Sequence, residues 1–192
     1  MGKEFELKYA ATAAQQEALR REITCDFTQI SMDTTYYDTL AGDLSARKWT
    51  LRRRMENGVS VCTVKTPGDG HSRGEWDCLC SDIEEAIEKL CKLGGPEELQ
   101  SLTASGVVPI CGARFTRLAA ALDIGEATVE LALDQGVLTG GGKEQPLWEI
   151  EIELKSGSEE AATTYARLLA EKFGLRPEEK SKFRRALALA QE

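Results

Sequence analysis

Basic residues are the scarcer charge in this 192-residue sequence, which has 24 Lys and Arg against 32 Asp and Glu and a formal net charge of −8. This balance argues against general nucleic-acid binding, which needs a basic surface. It also argues against an anionic membrane surface. We therefore expect no nucleic-acid partner and no membrane partner. On bulk charge alone, a polyanionic substrate would look equally unfavourable.

Histidine is almost absent, since the chain has only His71, in a turn rich in Gly and Pro. A His-based catalytic triad or a His-ligated zinc site therefore has almost nothing to build on. The six Cys residues match no zinc-binding spacing, although Cys78 and Cys80 would share a strand face. We interpret the cysteines as free thiols in a reducing compartment.

Long apolar segments are missing as well. The N-terminus lacks the apolar core of a secretory signal, and no run approaches the roughly 18 apolar residues of a membrane-spanning helix. We expect a cytoplasmic protein with a single domain, residues 1–192. The G-x-x-x-x-G-K-[ST] phosphate-binding loop is absent, so a phosphate site in this chain needs another design.

Alternation of polar and apolar residues predicts about eight strands, mostly joined by hairpins. They are Glu4–Tyr9, Ile30–Thr39, Lys48–Met55, Val59–Thr66, Arg73–Cys80, Cys111–Leu122, Ala127–Leu133 and Leu147–Lys155. Helices are predicted at Thr12–Ile23, from an N-cap at Ser81 to Leu93, from Pro96 to near Gly106, at Glu159–Phe173 and at Pro177–Leu189. This pattern favours an antiparallel α+β fold and is compatible with a closed barrel.

Charged side chains fall on one face of five predicted strands. The sets are Glu4, Glu6 and Lys8; Arg52 and Arg54; Arg73, Glu75 and Asp77; Glu130 and Asp134; and Glu149, Glu151 and Glu153. A solvated outer face and a wet barrel interior both give a period of two, so both interpretations stay open. The row of three carboxylates makes better sense if cations face it, and the planar arginine side chain suits phosphate oxygens.

An ordered set of motifs resembles the CYTH superfamily, the triphosphate tunnel metalloenzymes. The motifs are Glu4-x-Glu6-x-Lys8, Tyr36-Tyr37-Asp38-Thr39, Leu51-Arg52-Arg53-Arg54, Thr63-Val64-Lys65, Arg73-Gly74-Glu75-Trp76-Asp77, Phe115-Thr116-Arg117, Glu130–Gly136, Glu149–Gly157 and Lys180-Ser181-Lys182-Phe183. Asp77 replaces the last Glu of its motif. The segments Glu130–Gly136 and Glu149–Gly157 are similar to the bacterial inorganic triphosphatase branch.

The resemblance implies an eight-stranded antiparallel β-barrel that forms a tunnel, with flanking helices. It also implies metal-dependent hydrolysis of a small linear triphosphate, chiefly inorganic tripolyphosphate to pyrophosphate and phosphate. Mg²⁺ or Mn²⁺ would be held by Glu4, Glu6, Glu151 and Glu153. The residues that would bind phosphate and stabilise developing charge are Lys8, Arg52, Arg54, Lys65, Arg117 and Lys182, with Arg73 as a further substrate-binding residue. Supporting roles fall to Glu75, Glu130, Asp134 and Glu149, and Glu149 is placed near a tunnel mouth.

Other functions stay open at this point. A thiamine triphosphatase, a nucleoside triphosphatase or a class IV adenylate cyclase would use the same fold. A non-catalytic module that binds polyphosphate or nucleotide is a second class of alternative. The sequence leaves open whether the protein is a monomer or a homodimer.

Overall fold

The computed structural model describes residues 2–68 and 72–191, with side chains for all of these except residues 2–4, 72 and 73. The predictions for the side chains of Glu4 and Arg73, and the interpretation of His71, lie outside the described residues. Among the helices that are described, none is long and apolar enough to cross a membrane. All six cysteines are free thiols.

Nine strands and six helices make up the described chain. The strands are β1 Gly2–Ala10, β2 Thr28–Asp38, β3 Thr50–Glu56, β4 Val59–Thr66, β5 Ser72–Leu79, β6 Val108–Asp123, β7 Ala127–Gly140, β8 Lys143–Gly157 and the two-residue β9 Arg176–Pro177. The helices are α1 Ala13–Glu22, α2 Asp43–Ala46, α3 Ile83–Lys92, α4 Glu98–Leu102, α5 Glu159–Phe173 and α6 Lys182–Gln191.

The strands form one antiparallel sheet in the order β5-β4-β3-β2-β6-β7-β8-β1-β9. The first half of β1 also pairs with β5, through the four residue pairs from Gly2–Glu75 to Phe5–Ser72. Eight strands therefore curl into a barrel whose seam is short, so the sheet is not strictly closed. The predicted α+β class and barrel architecture are confirmed, with this incomplete closure.

Strand register decides which side chains face the barrel interior. Glu6 lies opposite Glu153 and Lys8 lies opposite Glu151 in the β1–β8 pair. The intervening apolar residues, such as Leu7, point outward into a core formed with α1 and α5. The charged faces of these strands therefore line the interior, and the interpretation of them as solvated outer faces is wrong.

Helix α1 is tied to the barrel wall by a buried amide. Gln16 Nε2 donates to the backbone carbonyls of Asp134 and Glu149, both at 3.0 Å. These two residues lie opposite each other in the β7–β8 ladder. A side chain outside the barrel thus fixes the backbone at the point where two buried carboxylates project inward.

Several element boundaries differ from the sequence predictions. Helix α3 is capped by Asp82 rather than Ser81, because the Asp82 carboxylate accepts the backbone N–H of Glu85 at 2.8 Å. Helix α6 begins at Lys182 rather than Pro177, because the chain at 176–177 first pairs with β1 as β9. Strand β7 continues past Leu133 to Gly140, and the short helix α2 was not predicted.

Candidate active site

A polar cavity of about 430 Å³ occupies the barrel. Six of the predicted phosphate-binding side chains line it: Lys8, Arg52, Arg54, Lys65, Arg117 and Lys182. Carboxylates share the same walls, among them Glu6, Glu75, Asp77, Glu151 and Glu153. The fold thus brings together residues from both ends of the sequence, and their catalytic and binding roles stay predictions.

Three carboxylates form a buried group beside this cavity. One oxygen from each of Asp134, Glu149 and Glu151 lies within 4.8 Å of the others. Asp134 and Glu149 have no exposed surface. Glu149 is therefore not at a tunnel mouth, and that prediction is wrong, because α6 packs over the start of β8 and covers it.

Three cations surround the buried carboxylates. Lys182 Nζ lies 2.8 Å from Asp134 and 2.6 Å from Glu151, and it also contacts Glu149. Arg117 donates two hydrogen bonds of 2.8 Å to Asp134 and contacts Glu151. With Arg185, 2.8 Å from Glu149, the group has three carboxyl groups and three cations. We call these six residues the buried charge cluster; each of its carboxyl groups contacts two cations of the cluster.

The cluster shifts the pKa of its members. Burial alone would raise the pKa of Glu151, but Lys182 and Arg117 hold it well below its usual range. Burial alone would lower the pKa of Lys182, but Asp134, Glu151 and Glu149 raise it above its usual value. Lys182 is therefore a charged ammonium at neutral pH, and Glu151 is a carboxylate.

A second set of carboxylates is more exposed to solvent. Glu153 on β8 lies opposite Glu6 on β1 and opposite Glu130 on β7, so the three form a row across neighbouring strands. Lys155 balances part of this charge, 2.9 Å from Glu153 and 3.8 Å from Glu130. Side chains of Glu130 and Glu153 keep 29% and 26% exposure, so solvent reaches these oxygens.

The opposite wall is basic. Glu75 bridges two of its residues, because it lies 3.1 Å from Lys65 Nζ and 3.6 Å from Arg52 Nη2. The Nε atom of Arg52 is buried and has no hydrogen-bond partner among the described residues. A buried donor of this kind is costly unless a ligand accepts its hydrogen bond, which favours an anion in the cavity.

The ring of Phe115 lies close to three of the cations. Its ring centroid lies 5.5 Å from the Arg54 guanidinium, 5.9 Å from that of Arg117 and 5.3 Å from Lys182 Nζ. Cation–π attraction at such distances offsets part of the mutual repulsion of the three charges. Burial, and then the neighbouring Arg52, lower the pKa of Arg54 to about 10, so it stays protonated at neutral pH.

Sequence patterns missed some residues of this site. No role was predicted for Arg185, yet it contacts Glu149 and Glu178. Its spacing of three from Lys182 was an available signal, since residues three apart share a helix face. Thr34, which accepts from Arg54 Nε at 2.8 Å, had no distinguishing pattern within its Thr-rich strand.

The chain is similar in sequence to known proteins. The model of the CYTH domain matches residues 2–187. The inorganic triphosphatase of Haemophilus influenzae is 31% identical over 166 residues, which are 82% of this chain and 47% of that protein. The chain therefore spans about half the length of this curated relative.

Solved structures share the fold. The PH1819 protein of Pyrococcus horikoshii has a TM-score of 0.67 at 23% identity and covers 98% of this chain and 99% of its own. HpAC1 from Hippeastrum, a putative adenylyl cyclase described as having a dominant triphosphatase activity, has a TM-score of 0.64 at 17% identity and covers 100% and 95%. With a family model that spans almost all of its residues, this chain belongs to the CYTH domain family.

Proposed function

We propose that this protein is a divalent-metal-dependent hydrolase of linear triphosphates, and that it splits inorganic tripolyphosphate into pyrophosphate and phosphate. The observation that carries the proposal is the cavity of about 430 Å³, where seven basic side chains and several carboxylates converge. Such a site suits a small polyanion that arrives with metal ions. The similarity to an inorganic triphosphatase supports the same substrate class.

Glu6 and Glu153 are the metal ligands that the geometry favours, with Glu130 in the same row. Carboxylate oxygens suit hard cations such as Mg²⁺ and Mn²⁺, and Glu6 and Glu153 line the cavity. Glu151, also predicted as a ligand, is engaged by Lys182 and Arg117. When bound, the metal supplies neutralisation of phosphate charge and polarisation of a phosphate oxygen. The predicted role of Glu4 belongs to this proposal as well.

The basic residues bind the substrate and stabilise charge that develops on its oxygens. Arg52 and Lys65 are held by Glu75 on one wall. Arg117 and Lys182 reach the cavity from the buried charge cluster on the other. A chain of phosphates between these walls meets donors on both sides, and this orients it for attack by water.

A second candidate is hydrolysis of an organic triphosphate ester. A groove of about 880 Å³ shares Lys8, Thr50 and Phe183 with the cavity, and Pro177 and Leu187 add apolar surface to it. Contact with apolar surface does not stabilise a bound chain of phosphates, whereas it would stabilise the organic group of a bound ester. Among the enzymes of this fold, a thiamine or nucleoside triphosphatase would use it.

A substrate panel tests the proposal. We expect the purified protein with Mg²⁺ or Mn²⁺ to release phosphate from tripolyphosphate faster than from thiamine triphosphate or ATP. Chelation with EDTA should abolish the reaction, and added metal should restore it. Faster turnover of an ester would select the second candidate. Tight binding without turnover under either metal would contradict the enzyme and leave a binding module.

A further inference from the structure

Helix α6 presents two cations to one buried carboxylate. Lys182 Nζ contacts Oε1 of Glu149, and Arg185 Nη2 donates to Oε2 of the same residue at 2.8 Å. The two cations are three residues apart and so lie on the same face of the helix. Each oxygen of Glu149 is thus occupied by a different cation of α6.

Arg185 is also tied to the segment that precedes α6. Its Nη1 donates to Glu178 Oε2 at 3.1 Å. The backbone N–H of Glu178 donates to the carbonyl of Lys8 at 2.9 Å. Arg185 therefore connects the start of α6 to strand β1 and to the carboxylate that Lys182 contacts. Its side chain is only 15% exposed, so solvent cannot replace these contacts cheaply.

We propose that Arg185 is a positioning residue, which keeps Lys182 at the cavity by neutralising the second oxygen of Glu149. This inference rests on the proposed function, since it concerns the binding of triphosphate by Lys182. Without Arg185, Oε2 of the buried Glu149 would lose the cation that contacts it, and Lys182 would be left to face both oxygens. Lys182 would then be drawn toward Glu149 and away from the phosphate.

A double-mutant cycle tests this role. We expect Arg185→Ala to lower kcat/KM for tripolyphosphate by about 10- to 100-fold, as misplacement of a catalytic group does. In the Lys182→Ala background, the same substitution should change kcat/KM by less than about twofold, because Arg185 acts through Lys182. Arg185→Lys should restore part of the activity. Arg167→Ala is the matched control, since Arg167 pairs with Glu171 on the exposed face of α5.

The same double-mutant cycle can be measured without turnover. Calorimetry in the presence of EDTA gives the affinity of each protein in the cycle for tripolyphosphate. If the wild-type protein binds tripolyphosphate but does not hydrolyse it, the proposed function fails. The binding affinities of the variants still test whether Arg185 positions Lys182. Equal losses from Arg185→Ala with and without Lys182 would overturn the inference, as would wild-type behaviour of Arg185→Ala. If Arg185→Ala does not fold, Arg185→Lys replaces it in the cycle. A protein that neither binds nor hydrolyses tripolyphosphate contradicts both proposals.

Discussion

Two arginines that are adjacent in the sequence have opposite surroundings on β3. Arg52 lines the cavity and lies near Glu75. Arg53 points outward, where its Nη1 donates to the carbonyl of Ser81 at 3.0 Å. The alternation of a strand predicted this difference from the sequence alone, because successive side chains point to opposite faces.

We expect Arg52→Ala to lower kcat/KM for tripolyphosphate by about 10- to 100-fold, since a hydrogen bond to a charged group is worth about 1.5–3 kcal/mol. Arg53→Ala removes an equal charge from the same strand and should change kcat/KM by less than about threefold. Steady-state kinetics of the two variants decide the point. A larger effect at Arg53 would mean that the inward face of β3 is assigned wrongly.

The dependence of the free energy of unfolding on acidic pH tests the ion pairs of Glu151. Lys182 and Arg117 hold its pKa well below the ordinary value of 4.5, so its ion pairs stabilise the fold fully above pH 4.5 and lose this effect as the pH falls through the lowered pKa. We expect Glu151→Gln to reduce the free energy of unfolding at pH 7 and to make its decline below pH 4.5 shallower. Urea unfolding at several pH values measures this. The exposed Glu159→Gln should keep the wild-type slope.

Other residues of the site could not be predicted from their own pattern. Arg185 and Lys182 share a helix face, but only the docking of α6 against β8 shows that this face meets Glu149. Glu149 itself alternates in register with Glu151 and Glu153, and the sequence does not show that α6 covers one end of that row. These contacts depend on tertiary packing, which local periodicity does not record.

At the scale of elements, the sequence predicted the strands well but ended β7 too early. The predicted strand ended at Leu133, yet β7 continues through Gly136 to Gly140. A Cβ atom at Gly136 would collide with the carbonyl of Arg114 and with Phe115 on β6. The glycine therefore marks a close approach of two strands rather than a turn.

We expect Gly136→Ala to lower the free energy of unfolding by about 1–3 kcal/mol or more, as overpacking does. The control is Gly142→Ala in the β7–β8 turn, where a Cβ meets no atom and only the positive φ of +76° is unfavourable. Chemical denaturation compares the two variants. A smaller loss at Gly136 than at Gly142 would contradict the close approach. Because Phe115 contacts three cations of the site, Gly136→Ala should also reduce tripolyphosphate turnover.

At the scale of the whole molecule, barrel closure turns scattered charges into one site. Lys8 and Lys182 are separated by almost the full chain length, yet both line the same cavity. Alternation showed which residues share a face, but it could not distinguish an inner face from an outer one. The pairing of β1 with both β5 and β8 settles that question, and it depends on contacts between distant segments.

The net charge of −8 therefore does not argue against the proposed triphosphate substrate. A small polyanion responds to the local field and to accompanying metal ions, and the cavity offers basic side chains on two walls. Bulk charge remains informative about large anionic surfaces such as nucleic acid, which would contact the outside of the molecule.

The balance of the buried charge cluster has a consequence for how this sequence can diverge. Its three carboxyl groups and three cations contact one another in a place that is largely buried. Replacing any one of them by a neutral residue removes at least one buried ion pair and unbalances the charge of the cluster, whereas replacing an opposite pair together keeps the balance. Among descendants of a common ancestor, these six positions should therefore covary as acid–base pairs, while the more exposed row at Glu130 and Glu153 can vary one residue at a time as far as stability is concerned.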